Sequence, residues 1–152
     1  MVQLKRMSRA DIPAVAGIEK LSFADPWSEQ TIADSFDNEN SIWLAGYESD
    51  GTLTSYLGGV CVAGEAEIYR VACHPDKRRG GFAEGLVLLM EALEEVETIY
   101  LEVRASNAPA RALYEKCWFE VCGERRAYYE NPTEDAILMR WEPGEGQHRC
   151  ES

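Results

Sequence analysis

One stretch of the sequence, residues 67–93, constrains the fold more than any other. It begins with alternating apolar residues, which are typical of a half-buried β-strand. The strand must end at His74-Pro75, because proline has no backbone N–H to donate to a neighbouring strand. A basic loop then leads into Gly80-Gly81, and apolar residues follow at the spacing of one helix face: Phe82, Leu86, Leu89, Met90 and Leu93. The stretch therefore predicts a strand, a basic glycine loop and a helix in direct succession.

This succession is suited to binding an anion such as a pyrophosphate. The first amides of a helix have no partner inside the helix, and the helix dipole adds partial positive charge there. Glycines leave room for the backbone to approach a phosphate closely. An ordinary strand-to-helix turn with a solvated basic corner fits the same residues equally well. A Walker loop is excluded because no Lys-Ser/Thr pair follows the glycines, and a dinucleotide fingerprint is excluded because G-x-G-x-x-G is absent.

Length and composition predict a single soluble domain. The chain has 152 residues, of which 45% are hydrophobic and 28% charged. No apolar run reaches the ~18 residues of a membrane helix, and the N-terminus lacks a long apolar segment. We therefore expect no membrane span, no signal peptide and a cytoplasmic location. The net charge of −12 disfavours direct binding to nucleic acid and suits a basic partner, although solubility or adaptation to salt would explain it equally well.

Cysteine and histidine usage predicts neither disulfides nor a metal site. The five cysteines are odd in number and contain no C-x-x-C pair, so we expect reduced, mostly buried thiols. His74 and His148 have no second ligand at a metal-binding spacing.

Hydrophobic periodicity and turn residues predict the element order β-α-α-β-β-β-α-β-α-β-β. The strands of the middle section follow one another as an antiparallel meander, whereas strands and helices alternate only in the second half. We therefore expect an α/β fold with a mixed sheet and helices on both faces. The domain is predicted to span residues 1–141, and the polar, glycine-containing segment 142–152 is predicted to be a disordered tail.

Capping residues and alternation predict several details of these elements. Ser8 and Asp11 have the pattern of a capping box for the first helix, and Ser28 is suited to cap the second. The third helix is predicted to end near Val96. In the following strand, alternation places three polar or aromatic residues on one face and the apolar residues on the other. The first set comprises Tyr100, Glu102 and Arg104.

Three segments, in this order and spacing, resemble the GNAT acetyltransferases. They are E-I-Y-R-V-A-C-H-P-D-K-R-R-G-G-F-A at 67–83, L-E-V-R-A-S-N-A-P-A-R-A-L-Y-E-K at 101–116 and Y-Y-E-N-P-T-E-D-A-I-L-M at 128–139. The glycine loop is common to GNAT proteins. The other two segments, with Pro26-Trp27-Ser28, resemble the RimI-type ribosomal-protein alanine N-acetyltransferases. The similarity extends from Met7 to Met139.

The resemblance implies the GNAT fold, acetyl-CoA as the donor, and the N-terminal amine of an Ala-first, ribosomal-protein-like chain as the acceptor, with the protein acting as a monomer or weak dimer. It also implies roles for individual residues. Glu102 matches the general base and Tyr114 the general acid of the family. The residues implied in cofactor binding are Val71, Ala72 and Cys73 through their backbone, Arg79, Gly80, Gly81, Phe82, Ala83 and Glu84 around the pyrophosphate, and Asn107.

These residue types suit direct acetyl transfer. An α-ammonium group, with a pKa of ~8, must lose a proton before it attacks a thioester, and a carboxylate can take that proton. A backbone amide at the splayed end of strand 67–73 could stabilise the oxyanion, and a phenol could protonate the leaving thiolate. Direct transfer needs no enzyme nucleophile, so we interpret Cys73 as a packing residue. Trp27, Tyr128 and Tyr129 are candidates for the acceptor groove, with packing as the alternative.

The sequence departs from the family pattern at three positions. Ala83 stands at a glycine position where the family tolerates alanine. Glu84 replaces a basic residue, and Trp118 replaces a glycine near the expected path of the pantetheine arm. We interpret these changes as local repacking, with weaker CoA binding or a changed acceptor as alternatives. Two other functions stay open: acetylation of a lysine side chain or small amine, and a non-catalytic CoA-binding or partner-binding module.

Overall fold

The computed structural model describes residues 2–78, 80–130 and 132–144. Its helices and strands occur in the predicted order, so the predicted element order is confirmed. They are β1 (Gln3–Arg6), α1 (Ile12–Ser22), α2 (Glu29–Phe36), β2 (Ser41–Tyr47), β3 (Leu53–Val62), β4 (Glu65–Cys73), α3 (Phe82–Ala92), β5 (Thr98–Arg104), α4 (Ala108–Lys116), β6 (Glu120–Tyr129) and β7 (Glu134–Trp141). Most of the predicted tail, residues 145–152, lies outside the described residues.

The strands form one mixed sheet in the order β1-β2-β3-β4-β5-β7-β6. Strands β1 to β4 are consecutive antiparallel neighbours, which confirms the predicted meander. The β4–β5 pair is parallel, because α3 carries the chain back across the sheet between them. β7 then lies between β5 and β6 and is antiparallel to both.

Helices cover both faces of this sheet, as predicted. Alternation in β2 divides its side chains between two cores. Ile42 and Leu44 are buried with α3 and α4, while Trp43 and Ala45 are buried with α1 and α2. The α1/α2 helices contact the sheet around β2, β3 and β4. Within the part of the chain that the structure describes, the same face of β5, β7 and β6 has no helix over it.

Two helix starts follow the predicted capping, with one difference. Ser28 Oγ accepts a hydrogen bond from the Thr31 N–H at 3.1 Å and caps α2. The Ser8 N–H donates to the Asp11 carboxylate at 3.1 Å, as in a capping box, but residues 9–11 form a 3₁₀ turn. The α-helix itself begins at Ile12, with Pro13 in its first turn.

The predicted end of α3 near Val96 is wrong. The helix ends at Ala92, and Leu93 has an extended backbone with ψ of 134°. The sequence E-A-L-E-E-V-E places four carboxylates at the negative end of the helix dipole, which disfavours further helical turns. Glu95 instead forms an ion pair with Arg6 of β1, at 2.7 Å.

The prediction of mostly buried thiols is only partly right. Of the four described cysteines, all free, Cys117 is buried, Cys61 and Cys73 are half-buried, and Cys122 is exposed. Within residues 2–78, 80–130 and 132–144 there is no group of three or more metal-ligating side chains. In the same part of the chain, no helix has the length and apolar character needed to cross a membrane.

Candidate active site

A gap opens in the middle of the sheet between β4 and β5. The two strands pair only at three positions, the last of which joins Glu67 to Tyr100. Just beyond it, Gly58 and Gly59 of β3 face Arg70 and Ile68, so Tyr69 has no partner and forms a bulge in β4. A bulge bends its strand and increases the local twist, which carries the rest of β4 away from β5.

Gly59 makes this bulge possible. A Cβ atom at position 59 would lie 2.2 Å from the carbonyl oxygen of Glu67, which is backbone and cannot rotate away. Only glycine therefore allows β3 and β4 to approach this closely at the start of the gap.

The backbone of β4 offers hydrogen-bond donors along the gap. The His74 N–H donates to the Thr54 carbonyl at 2.7 Å, and Ala72 lies opposite Tyr56 in the same register. Because bonded and non-bonded pairs alternate between antiparallel strands, Ala72 bonds to β3 while the N–H groups of Val71 and Cys73 point toward the gap. Of the three residues that the family resemblance implies in backbone binding, Val71 and Cys73 thus direct their N–H groups toward the gap, and Ala72 does not.

The Cys73 thiol is engaged locally. It donates to the Lys77 carbonyl at 3.2 Å, and burial raises the pKa of the thiol although Arg78 opposes the shift. A thiol held in its neutral form is a poor nucleophile. This environment agrees with the interpretation of Cys73 as a packing residue.

The start of α3 has amides without a partner inside the helix. Gly81 has a φ of 79°, a left-handed conformation that favours glycine, and precedes the helix as its cap. The first bond inside the helix runs from the Gly85 N–H to the Gly81 carbonyl at 2.9 Å. The amides of Phe82, Ala83 and Glu84 therefore have no partner inside the helix. Gly80 is described beside them, whereas Arg79 lies outside the described residues.

Glu102 lies on the face of β5 that no helix covers. Its neighbours Leu101 and Val103 are buried on the opposite face, against α3 and α4, which confirms the predicted alternation. Arg125 of β6 holds the carboxylate through an ion pair of 3.3 Å between Nε and Oε2, and the Glu102 side chain is 21% exposed. A hydrogen bond to Glu102 and the charge of that carboxylate raise the pKa of Tyr128.

A cavity of about 370 Å³ extends over this face of the sheet, next to the gap. Its polar side chains come from three strands: Glu65, Glu67, Tyr100, Glu102, Cys122 and Arg125. Of the aromatic candidates for the acceptor groove, Tyr128 contacts Glu102. Tyr129 is half-buried beneath Arg104, and Trp27 packs between Trp43 and Tyr69.

Tyr114 lies on the opposite side of the sheet. It is buried in the core between α3, α4 and the sheet, with its ring 5.6 Å from that of Phe119. Burial raises the pKa of Tyr114 strongly, so the phenol keeps its proton at neutral pH. Asn107 caps α4, where its side-chain oxygen accepts from the Ala110 N–H at 3.2 Å. The structure thus places a carboxylate and a phenol on opposite faces of the sheet.

Most of the chain matches one known protein family. Residues 12–119 match the pattern described as "Acetyltransferase (GNAT) family". The chain belongs to the GNAT family. It is an acetyltransferase that takes its acetyl group from acetyl-CoA.

Full-length relatives lie within one branch of the GNAT family. The chain is 38% identical over 141 residues to the ribosomal protein bS18-alanine N-acetyltransferase of Salmonella typhimurium, covering 88% of this chain and 92% of the relative. It is 37% identical over 145 residues to the Escherichia coli protein of the same name, covering 91% and 96%. The crystal structure of the E. coli ribosomal-protein-S18-alanine N-acetyltransferase matches at a TM-score of 0.85 and 34% identity, covering 95% of this chain and 97% of that one.

Acetyl-CoA fits the residues that this GNAT protein presents. Three free amides at the start of a helix suit a pyrophosphate, and the N–H groups of Val71 and Cys73 suit carbonyl oxygens of the acetyl group and the pantetheine arm. Glu84 does not oppose this fit. Its carboxylate forms an ion pair with Lys116 of α4, with 3.2 Å between Oε1 and Nζ, and is therefore drawn toward α4.

Trp118 lies in the turn after α4. It follows α4 with a φ of 78°. The Trp118 N–H donates to Glu115 and the Phe119 N–H to Tyr114, which is the Schellman arrangement that usually ends in glycine. The side chain lines a separate cavity with Glu120 and Arg140, beside the part of the sheet where β4 and β5 still pair. The change from glycine is therefore a helix-end feature, as the interpretation of local repacking expects.

Three charged residues of the cavity are missed by sequence reasoning: Glu65, Glu67 and Arg125. Glu67 and Arg125 approach Glu102 only because β4 pairs with β5 up to position 67 and β6 reaches the same face through β7. Alternation around Glu67 indicates which side of β4 it occupies, but the identity of the neighbouring strand depends on the crossover through α3.

Proposed function

We propose that this acetyltransferase modifies the N-terminal α-amine of a protein, and that its acceptor is an Ala-first ribosomal protein. The observation that carries the proposal is the gap between β4 and β5, which lies next to a carboxylate-lined cavity on one face of the sheet, while the opposite face carries the start of α3 and a buried phenol. The names of the full-length relatives support a ribosomal acceptor. Such an acceptor would place the reaction in the cytoplasm.

Glu102 is proposed as the general base. It reaches the cavity in which an acceptor amine would lie, and Arg125 and the Tyr128 hydroxyl fix its orientation. A carboxylate held in this way can take a proton from the α-ammonium group, directly or through one water molecule. The amine then has a free electron pair with which to attack the thioester carbonyl.

The N–H groups of β4 are proposed to stabilise the charge that develops on that carbonyl oxygen. Val71 and Cys73 present fixed donors at the edge of the gap, and donors that need no reorganisation give the largest stabilisation of an oxyanion. Collapse of the tetrahedral intermediate breaks the C–S bond and releases CoA as a thiolate, while the nitrogen loses its second proton to solvent and becomes the amide N–H.

Tyr114 is proposed to protonate this leaving thiolate. Its raised pKa keeps the phenol protonated, as a general acid requires. Asn107 at the start of α4 and the amides of residues 82–84 would hold the cofactor on this side of the sheet, with Gly80 and Gly81 giving the backbone its close approach and Arg79 adding positive charge.

The acceptor is tested with two peptides that differ only at the N-terminus. One is a lysine-containing hexapeptide beginning with free alanine, and the other is the same peptide with its N-terminus already acetylated. Calorimetric titration of acetyl-CoA first establishes donor binding. We then expect thiol release with the free peptide alone. Equal release from both peptides would identify lysine side chains as the acceptors, and donor binding without release from either would contradict an Ala-first acceptor.

A further inference from the structure

Glu67 lies in the acceptor cavity at the last paired position of β4. It alternates with Ile68, which is buried against α3, so its side chain lies on the same open face as that of Glu102. The two carboxylates line the same cavity of about 370 Å³. Glu67 itself is half-buried.

The fold gives Glu67 no partner of its own. Among the described residues, Glu102 has an ion pair with Arg125, whereas no hydrogen bond or ion pair fixes the Glu67 carboxylate. A half-buried carboxylate without a partner does not stabilise the fold. The Glu67 carboxylate is therefore available to bind a ligand group, and a cationic group matches its negative charge.

The charges around Glu67 favour such a cation. Burial raises the pKa of Glu67, the negative charge of Glu102 raises it further, and Arg125 lowers it. The other titratable groups that face it are Glu65, Tyr100 and Cys122, which line the same cavity, and the phenols of Tyr69 and Tyr128, which are neutral at pH 7. Three carboxylates thus line the cavity beside one guanidinium, which leaves an excess of negative charge for a cation to balance.

We propose that Glu67 is a second acceptor-binding carboxylate, which holds the acceptor's α-ammonium group beside Glu102. An ammonium group has three N–H donors, so it can bind both carboxylates while one proton passes to Glu102. Glu67 takes no proton in this step and acts by binding. The proposal rests on the proposed function, since it takes Glu102 as the proton acceptor.

The test compares Glu67→Gln with Glu124→Gln. The first variant keeps the size of the side chain and removes its charge. The second removes the same charge from β6, where Glu124 is exposed and pairs with Ile137, so that it faces away from the cavity. Steady-state rates with an Ala-first peptide, across a range of pH, give kcat and KM for each variant, and calorimetry gives the Kd for acetyl-CoA.

For Glu67→Gln we expect KM for the peptide to rise at least about tenfold, with kcat within about threefold of the wild-type value. In the wild-type protein, kcat/KM falls as the pH drops through the raised pKa of Glu67, because the carboxylate loses its charge. In Glu67→Gln the fall of kcat/KM on the acidic side of the pH profile, its acidic limb, moves to lower pH. The Kd for acetyl-CoA stays unchanged, which shows that the variant is folded.

Three outcomes overturn the inference in different ways. An unchanged KM and an unchanged acidic limb in Glu67→Gln, together with loss of turnover in Glu102→Gln, would remove Glu67 alone from the acceptor site. The same rise in KM in Glu124→Gln would assign the effect to overall surface charge. Wild-type turnover in Glu102→Gln would instead contradict the proposed function on which the inference depends.

Discussion

Glu102 shows how a single residue acquires a role from its strand. Leu101 and Val103 turn inward because β5 must bury its apolar side chains, and alternation then directs Glu102 into the open cavity. Arg125 and Tyr128 complete its surroundings from β6. The position of the Glu102 side chain follows from the alternation of apolar residues in β5. Its proximity to Arg125 and Tyr128 follows from the pairing of β6 with β7.

We predict that Glu102→Gln lowers turnover while leaving donor binding intact. Glutamine preserves the shape of the side chain but cannot take a proton, and loss of a general base costs about 10²–10⁴ in rate. A thiol-release assay with the Ala-first peptide measures the rate, and calorimetry measures acetyl-CoA binding. Wild-type turnover would exclude Glu102 as the base, whereas loss of donor binding would indicate a folding defect.

At the same scale, the sequence predicts some members of the site and not others. Glu102 and Tyr114 can be placed because each belongs to one element whose faces alternation and helical spacing define. Glu67 and Arg125 cannot, because their proximity to Glu102 depends on which strands become neighbours. The catalytic and cofactor-binding roles of all these residues stay predictions, and Arg79 also lies outside the described residues.

Among the elements, α1 carries a charge in the middle of its apolar face. Glu19 is fully buried beside Val15 and Ile18. It accepts hydrogen bonds from the Tyr56 hydroxyl and, at 2.8 Å, from the Trp27 N–H. These contacts fasten the segment between α1 and α2 to the sheet, at the edge of the gap.

Arg70 completes this network from β4. Its Nε lies 3.4 Å from the Glu19 carboxylate, and its guanidinium stacks on the rings of Phe23 and Trp27 at 4.3 and 4.9 Å. The side chain of Arg70 is 19% exposed, so its charge depends on Glu19 for compensation. The sequence marks Glu19 only as a lone carboxylate at an apolar position of a helix.

We predict that Glu19→Gln lowers the free energy of unfolding by about 3 kcal/mol, because it leaves the largely buried Arg70 charge uncompensated. Urea denaturation followed by circular dichroism measures the change. Glu39→Gln is the matched control: Glu39 lies exposed in the turn before β2, and its loss should change stability by less than about 0.5 kcal/mol. An unfolding midpoint for Glu19→Gln equal to that of the control would show that the network adds no stability.

The helices and strands themselves were largely predictable. Periodicity and capping residues act within a few positions, so element order and the start of α2 follow directly from the sequence. The end of α3 was mispredicted because the apolar pattern continues through Leu93 and Val96, while four carboxylates oppose the helix dipole there. The bulge at Tyr69 depends on the register with β3, which no local pattern indicates.

For the whole molecule, the sheet order explains how the proposed donor and acceptor sites would meet. Crossing through α3 makes β4 and β5 parallel neighbours, and their divergence after position 67 opens the sheet between its two faces. Helices α3 and α4 cover the side with the free amides, and the other side stays open over β5 and β6. A cofactor and an amine can thus approach one reaction centre from opposite faces.

The net charge of −12 is a property of the whole surface and suits a basic acceptor. Long-range attraction between exposed charges is screened by salt, with a Debye length of about 10 Å at 0.1 M and about 3 Å at 1 M. We therefore predict that KM for a lysine-rich Ala-first peptide rises about tenfold between ~0.05 and ~0.5 M NaCl. An uncharged Ala-first peptide of equal length should change less than about twofold, because only its α-ammonium group carries charge.

Steady-state KM values for the two peptides at matched pH measure this difference. A parallel rise for both peptides would mean that salt acts on the α-ammonium site or on donor binding, and it would remove the surface from acceptor selection. A KM for the lysine-rich peptide that stays constant as the NaCl concentration rises would mean that the acidic surface serves solubility or adaptation to salt. A rise confined to the lysine-rich peptide would make the charge of the whole molecule, and not the cavity alone, a determinant of which protein is acetylated.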